Sequence, residues 1–371
     1  MKTVQQFVAA FLLLFSATGA SFAQAPPSYV LSSGRAPTIN FGGLLQLQGE
    51  FGDKGDSRFS NANDRFYLRR ARLNAAGKFL EEFDFKLELD LAGSIGNTSG
   101  LRAQLTDAYI NWNRYAAANV KVGQFKTPFG FEQLYADPKL PTIERSLAND
   151  RLTLSRQIGI QGSGDFLDKR ASWALGAFNG TGANNNFNDN DDFLTVGRLS
   201  GRPWRGRLFG EEALLSVGAA AYSSSDVALN LADLGFDSTP ATADKDALFT
   251  GDRRGSAFDA EFTTGRFEVW VEVIQGHFEP KNALPVGLVE AEGWSSMISA
   301  FVVPKRLQAL IRRESFDPST AVDENSTRIT TLGLNWFLKS DDLKVVVDYM
   351  RVAIDRRADE NRFLARLQVI F

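Results

Sequence analysis

Residues 83–91 alternate strictly between apolar and charged side chains, and this pattern constrains the fold more than any other feature. The stretch FDFKLELDL places apolar residues at the odd positions and charged residues at the even ones. Successive side chains of an extended strand point to opposite faces, so this segment is predicted to be a strand with one apolar and one polar face. The same period of two occurs at 41–51, 306–312 and 361–371, and no comparable segment has the 3.6-residue period of an amphipathic helix. The chain is therefore predicted to be all-β.

About sixteen such segments follow one another, each with roughly the 9–11 residues or slightly more that a tilted strand needs to cross a bilayer. Their connections alternate in length, with long ones near 52–63, 94–102 and 127–155 and short ones near 80–81, 116–117 and 168–169. Long outer loops, short periplasmic turns and an even strand number are typical of transmembrane β-barrels. The predicted strands are 39–51, 64–79, 82–93, 103–115, 118–126, 156–167, 170–180, 193–204, 212–224, 254–264, 267–278, 291–303, 305–316, 326–338, 342–355 and 361–371.

A soluble secreted β-sandwich is the main alternative, because half-buried strands alternate in the same way. Such a protein has no reason to keep long and short connections in strict parity. The apolar faces also carry no charge, as a lipid-facing wall requires, because an outward charge at the membrane midplane costs roughly 2–4 kcal/mol. The membrane barrel is therefore the favoured interpretation.

The N-terminal segment resembles an export signal. Lys2 precedes an apolar stretch at residues 7–15, and small residues end at Ala23, where a signal peptidase would cut. We predict a signal peptide at 1–23, a flexible leader at 24–38 and a single barrel domain at 39–371. This organisation predicts a location in the outer membrane of a Gram-negative-type bacterium.

Composition argues against most enzyme chemistry. The chain has no Cys and a single His, so disulfides, zinc fingers, iron–sulfur clusters and Cys nucleophiles are excluded. An outer-membrane hydrolase would depend on His277, but no motif supplies the nucleophile and orienting group that it needs. Residues 184–192 are rich in Asn and Asp without the ordered spacing of a calcium loop. We expect no enzymatic activity, no cofactor, no metal centre and no nucleic-acid partner.

Several motifs resemble those of the phosphate-selective porin O and P family. They are FYLRRARLNAAGKF at 66–79, DAYINW at 107–112, VKVGQFKTPFGF at 120–131, IERSLAN at 143–149, RQIGIQGSGDF at 156–166, and a terminal strand ending in Phe371. The resemblance covers the chain from about Asn40 onward. It implies a sixteen-stranded, trimeric outer-membrane channel for small anions, with phosphate as a candidate solute and a third outer loop folded into the lumen. The long connection 127–155 occupies that third position.

The direction of each side chain then predicts what lines the pore. If Phe371 faces lipid, parity directs a set of cations inward, together with an equal number of carboxylates, while Arg69 breaks the pattern and is placed at the outer rim. With a balanced wall, selectivity depends on charges clustered at the constriction. The inward cations are Arg70, Arg72, Lys78, Lys86, Lys121, Arg306, Arg312, Lys344, Arg362 and Arg366.

Arginine suits oxyanions because its planar group donates two parallel hydrogen bonds. If the family's mechanism holds, Arg145 and Arg151 of the loop and Arg70 and Arg72 of the wall form the anion path, and the candidate constriction also includes Lys121, Lys126 and Arg366. Two alternatives stay open. Arg145 could instead pair with Glu144 or a wall carboxylate to hold the loop, and the pore could be a general, weakly selective diffusion channel.

Overall fold

The computed structural model describes residues 38–55, 58–59, 63–93, 101–234, 248–283 and 290–371. The predicted signal peptide and the leader up to residue 37 lie outside the described residues. Within the described ranges, no helix is long and apolar enough to cross a membrane.

Sixteen antiparallel strands form one closed barrel, in which each strand pairs with its neighbours in sequence and β1 pairs with β16. Closure leaves no unpaired sheet edge, so every strand can satisfy its backbone groups within a membrane. The strands are β1 (Thr38–Gly52), β2 (Arg65–Phe79), β3 (Phe83–Gly93), β4 (Arg102–Tyr115), β5 (Ala118–Lys126), β6 (Arg156–Phe166), β7 (Ala171–Phe178), β8 (Leu194–Leu208), β9 (Glu211–Asn230), β10 (Leu248–Thr264), β11 (Phe267–Pro280), β12 (Glu290–Val303), β13 (Leu307–Asp317), β14 (Thr327–Lys339), β15 (Leu343–Ile354) and β16 (Glu360–Ile370).

The predicted fold class, strand number and alternation of long loops and short turns are confirmed. The largest differences are at β9 and β10, which run six residues further than predicted at their shared hairpin, to Asn230 and from Leu248. The added residues mix polar side chains, including Ser225, Asp226, Asp252 and Arg253, with apolar ones, yet they still pair across the two strands. Backbone pairing continues here without the apolar alternation that the prediction relied on.

The side chains alternate as the barrel requires. Gln46, Gln48 and Glu50 of β1 are buried inside, whereas Leu45 and Leu47 are exposed on the outer surface. Arg312, Lys344, Arg362 and Arg366 are likewise buried. Arg306 is an exception to the predicted inward set, because β13 begins only at Leu307 and Arg306 lies exposed in the preceding turn.

A β-bulge at Arg69 changes the parity of β2. Gln46 pairs with Arg70 and Leu47 pairs with Leu68, so Arg69 is the extra residue with no partner in the register. A bulge re-aims the side chains on either side of it. Tyr67 and Arg69 therefore face the lumen together with Arg70 and Arg72, and the prediction that Arg69 lies at the outer rim is wrong.

The connection between β5 and β6, residues 127–155, folds into the barrel. It contains two short helices, α1 (Phe131–Leu134) and α2 (Leu147–Leu152), with a 3₁₀ turn at Asp137–Lys139 between them. Phe129, Ile143, Leu147 and Leu152 belong to the apolar cluster that fills part of the interior. We call residues 127–155 the lumen loop.

Candidate functional site

The lumen loop crosses the barrel and contacts the wall on the far side. Glu272 of β11 accepts hydrogen bonds from the backbone N–H groups of Phe131 and Glu132 at the start of α1. The loop then passes β14 and β15, where Asn335 donates to Pro141 O (2.8 Å) and Ile143 N donates to Asp348 Oδ2 (2.6 Å). Wall carboxylates and amides thus satisfy backbone groups of the loop, which holds the loop at a defined depth in the lumen.

Four of the seven predicted site residues converge on one loop carboxylate, Asp137. Its Oδ2 lies 2.6 Å from Arg72 Nη1 and 3.4 Å from Arg70 Nε, both on β2. Its Oδ1 lies 2.6 Å from Arg145 Nη2 and 4.0 Å from Lys126 Nζ. Burial alone would raise the pKa of Asp137, but the charges of Arg70, Arg145, Arg72 and Lys126 hold that pKa well below its ordinary value.

A second loop carboxylate, Glu144, collects the cations of the neighbouring strands. Arg69 reaches it from the bulge of β2 at 3.3 Å, and Arg366 of β16 reaches it at 3.3 Å. Gln48 of β1 also donates to it, at 3.2 Å. Burial opposes ionisation of Glu144, yet Arg69 and Arg366 keep the pKa of this carboxyl below its usual range. Arg366, predicted for the site, therefore lies beside Glu144 and not beside Asp137.

The two remaining predicted residues lie apart from these clusters. Lys121 Nζ lies over the ring of Tyr109, 4.7 Å from its centroid, and 5.2 Å from the centroid of Phe125. No carboxylate of the described ranges lies within 4.0 Å of this ammonium. Arg151 lies in α2, with its Nε 3.7 Å from Asp150, and that helix packs against β11, β12 and β13.

The contacts of Arg145 bear on the alternative that it holds the loop. Besides Asp137, its guanidinium donates to Glu132 O (2.8 Å) and Tyr135 O (3.2 Å). All three acceptors belong to the lumen loop itself. Arg145 therefore joins the two halves of the loop, and its predicted partners, Glu144 or a wall carboxylate, are replaced by Asp137.

Arg312 of β13 is a loop-binding residue that the sequence did not single out. It is 1% exposed. It donates to Thr142 Oγ1 (2.8 Å) and Glu144 O (2.7 Å) and pairs with Glu314 at 2.9 Å. Parity predicted that Arg312 faces inward, but nothing in the sequence indicates which part of the loop it meets.

The opposite side of the lumen is acidic. Glu261 of β10 and Glu268 of β11 both accept hydrogen bonds from the hydroxyl of Tyr135, at 3.3 and 3.0 Å. Glu272 lies on the same strand as Glu268 and receives the start of α1. The lumen loop therefore lies between a cationic wall formed by β2 and β16 and an acidic wall formed by β10 and β11.

Three lysines surround a cavity of about 530 Å³ beneath the loop, at the end of the barrel with short turns. Lys139 belongs to the loop, Lys344 to β15 and Lys305 to the turn before β13, and Glu268 and Asp341 are the acidic groups of the same cavity. Lys344 is buried and pairs with Asp341 at 3.0 Å. Lys344 is among the predicted inward cations, whereas Lys305 is not.

His277 lies at the outer end of β11, where it is 3.6 Å from both Glu279 and Glu290. It is 44% exposed, and both of these contacts are with carboxylates. Within the part of the chain that the structure describes, no group of three or more His, Asp or Glu side chains could hold a metal ion.

The barrel is similar to solved outer-membrane proteins. OmpT of Vibrio cholerae, in a trimer form, has a TM-score of 0.62 at 13% identity and covers 91% of this chain and 100% of its own. An anion-selective porin from Comamonas acidovorans has a TM-score of 0.62 at 12% identity, with 91% and 100% covered. The channel DcaP of Acinetobacter baumannii has a TM-score of 0.60 at 13% identity, with 92% and 99% covered. At these identities the similarity establishes the fold alone.

Family-level sequence comparison is more specific. No protein of curated function shows a significant match to the sequence. The family model of the phosphate-selective porin O and P family matches residues 43–201 and 306–371, which together make up more than half of the chain. The matched ranges include the bulge of β2, the lumen loop and the final strand. The chain therefore belongs to the phosphate-selective porin O and P family.

Proposed function

We propose that this porin carries small anions across the outer membrane by passive diffusion, with phosphate-like oxyanions as its preferred solutes. The observation that carries the proposal is the charge around the lumen loop. Six cations pair with Asp137 or Glu144. One of them, Arg72, also forms ion pairs with Asp90 at 2.9 Å and with Glu88 at 3.6 Å. Six positive groups thus face four negative ones. A positive excess at short range in a confined space favours anions.

Lys121 adds to this excess, because its ammonium contacts aromatic rings instead of a carboxylate. Arg70, Arg72, Arg145, Lys126 and Arg366 supply further positive potential, although each is tied to a carboxylate. Arg151, on the far side of the loop, contributes at longer range. We propose these seven residues as the anion path.

The reversal potential of the purified channel in a planar bilayer tests the proposal. Under a salt gradient of potassium chloride, we expect a potential of the sign that chloride permeation gives, and a concentration-dependent block of chloride current by added phosphate. A potential near zero or of the opposite sign would refute anion selectivity.

A general, weakly selective diffusion porin is the second candidate, and the acidic wall favours it. Glu261, Glu268 and Glu272 face the lumen across the loop from the arginines. Cations would then pass along β10 and β11 while anions pass along β2 and β16. Comparable permeabilities for potassium and chloride, without phosphate block, would support this candidate.

The proposal includes an assembly and a location. The V. cholerae OmpT structure is a trimer, which supports a homotrimer here. Family membership supports insertion in outer-membrane lipid after export by the predicted signal peptide. Chemical cross-linking of the folded, unheated protein in detergent should give a trimer. Membrane fractionation should recover the chain in the outer membrane. A cross-linked monomer, or recovery in the periplasmic fraction, would contradict these two points.

A further inference from the structure

Asp137 occupies a position that would suit a free oxyanion. Arg72 binds its Oδ2 and Arg145 binds its Oδ1, each at 2.6 Å, while Arg70 and Lys126 complete the shell at 3.4 and 4.0 Å. These cations come from three different elements, β2, β5 and the lumen loop. A phosphate-type anion binds in the same way, through guanidinium groups that approach its oxygens from several sides.

The carboxylate is held in this position by its own backbone. Asp137 begins the 3₁₀ turn Asp137–Lys139, whose second residue is Pro138, and its side chain is 4% exposed. Lys126 fixes the preceding segment by donating to Gln133 O (2.7 Å) and Tyr135 O (2.9 Å). The carboxylate is thus positioned by the chain and not by a flexible tether, so its effective concentration at the arginines is high.

We propose that Asp137 is a built-in counter-anion that occupies the oxyanion position of Arg70, Arg72 and Arg145 and thereby weakens the hold of the constriction on permeating oxyanions. This inference rests on the proposed function, because it concerns the solute preference of the same pore. A channel conducts well only when a solute binds strongly enough to enter and weakly enough to leave. Asp137 achieves this by competing with the solute for the same guanidinium groups.

Asp137→Asn tests the proposal, because it removes the charge and keeps the size and one acceptor oxygen. We expect the concentration of inorganic phosphate that blocks half of the chloride current to fall by about fivefold or more, since a unit charge at about 4 Å is worth at least ~1 kcal/mol. Asp137→Glu keeps the charge, so phosphate should block the chloride current of this variant at the same concentration as in the wild type. Asp168→Asn is the matched control, because Asp168 lies in the exposed turn between β6 and β7 in a left-handed conformation that Asn also tolerates.

A second measurement separates this role from mere attachment of the loop. Asp137→Asn leaves Arg70 and Arg145 without the carboxylate that they pair with, although Arg72 keeps Asp90 at 2.9 Å. The variant should therefore unfold at a lower temperature in detergent at low ionic strength. If Asp137 is a counter-anion, inorganic phosphate should restore much of that loss and raise the melting temperature of the variant more than that of the wild type. The proposal would be overturned if the Asp137→Asn channel had a higher conductance but an unchanged phosphate block. It would also be overturned if phosphate did not raise the melting temperature of the variant more than that of the wild type.

The two experiments also distinguish this inference from the proposed function. If the wild-type reversal potential shows no anion preference, the proposed function fails. Phosphate rescue of Asp137→Asn would then still support the counter-anion role. If the wild type prefers anions but the variant binds phosphate no more tightly, only the role of Asp137 is refuted.

Discussion

Nη1 of Arg312 lies 2.8 Å from Oγ1 of Thr142, although Arg312 belongs to β13, which stands eight strands around the barrel from β5, where the lumen loop begins. The loop is therefore held by the wall opposite its origin. Ile143 N reaches Asp348 of β15, and Asn335 of β14 reaches Pro141 O. Loss of any of these contacts should free the loop while leaving the barrel closed.

The ion pair of Arg312 with Glu314 gives a first test. Arg312→Met should lower the free energy of unfolding by roughly 3–5 kcal/mol, because it leaves a buried carboxylate without its closest cation. Combining it with Glu314→Gln should recover a large part of that loss, since the amide keeps an acceptor for Leu147 N. Urea unfolding in lipid vesicles, monitored by tryptophan fluorescence, measures the free energy of unfolding of the single and the double variants. A double variant that loses the sum of the two single effects would contradict this coupling.

Asp348 provides a second test at a backbone contact. Asp348→Ala removes the acceptor of Ile143 N and leaves a buried N–H unsatisfied, which costs about 1–3 kcal/mol. We expect a noisier single-channel current, because the loop becomes less firmly attached. Asp342→Ala, in the exposed turn before β15, is the control and should leave the current unchanged. Equal noise in both variants would refute a role of Asp348 in holding the loop.

The sequence alone predicts the barrel and the direction of most side chains in it. Alternation is a local property, and each lumen-facing or lipid-facing position follows from its neighbours in the same strand. The error at Arg69 has a definite cause. A bulge is a property of two paired strands, here Gln46 and Leu47 against Arg70 and Leu68, and one strand alone does not reveal it.

The partners of the site cations could not be predicted for a similar reason. The sequence placed Arg145 and Asp137 on the same loop, and it placed Arg70 and Arg72 on one wall. Their meeting at one carboxylate depends on how far the loop enters the lumen and where it turns. The wall contacts of Asp348 and Arg312 set that depth, and they join residues that are 205 and 170 positions apart in sequence.

Lys121 should contribute to anion selectivity directly. Within the described residues its ammonium lies over aromatic rings and has no carboxylate within 4.0 Å, so no ion pair neutralises its charge toward a solute in the lumen. Lys121→Gln should reduce the chloride-to-potassium permeability ratio by about fivefold, which corresponds to ~1 kcal/mol for a unit charge at about 4 Å in a water-like dielectric. Lys339→Gln, exposed at the end of β14, is the control. An unchanged reversal potential in Lys121→Gln would remove Lys121 from the anion path.

Leu89 tests the assignment of the outer face. It lies near the middle of β3 and is 40% exposed on the apolar side. Leu89→Lys should destabilise the barrel by roughly 2–4 kcal/mol, the cost of a lipid-facing cation at the membrane midplane. The yield of folded barrel, measured as the fraction of protein whose gel migration changes on heating, should fall. Leu101→Lys makes the same change at an exposed position just before β4 and should have little effect. Similar yields of both variants would contradict the assignment.

The charge of Asp137 should persist in acid. Arg70 and Arg72 of β2, Lys126 of β5 and Arg145 of the loop face this carboxyl and depress its pKa. A carboxyl whose pKa is lowered on folding contributes stability that is complete above the ordinary value, about 3.9 for Asp, and that is lost as the pH falls through the lower folded value. The difference in reversal potential between wild type and Asp137→Asn should therefore be similar at about pH 7 and about pH 4. Other carboxyls titrate equally in both proteins, so the difference isolates Asp137. If the wild type came to resemble the variant at the lower pH, Asp137 would have an ordinary pKa and the arginines would not hold it as the structure indicates.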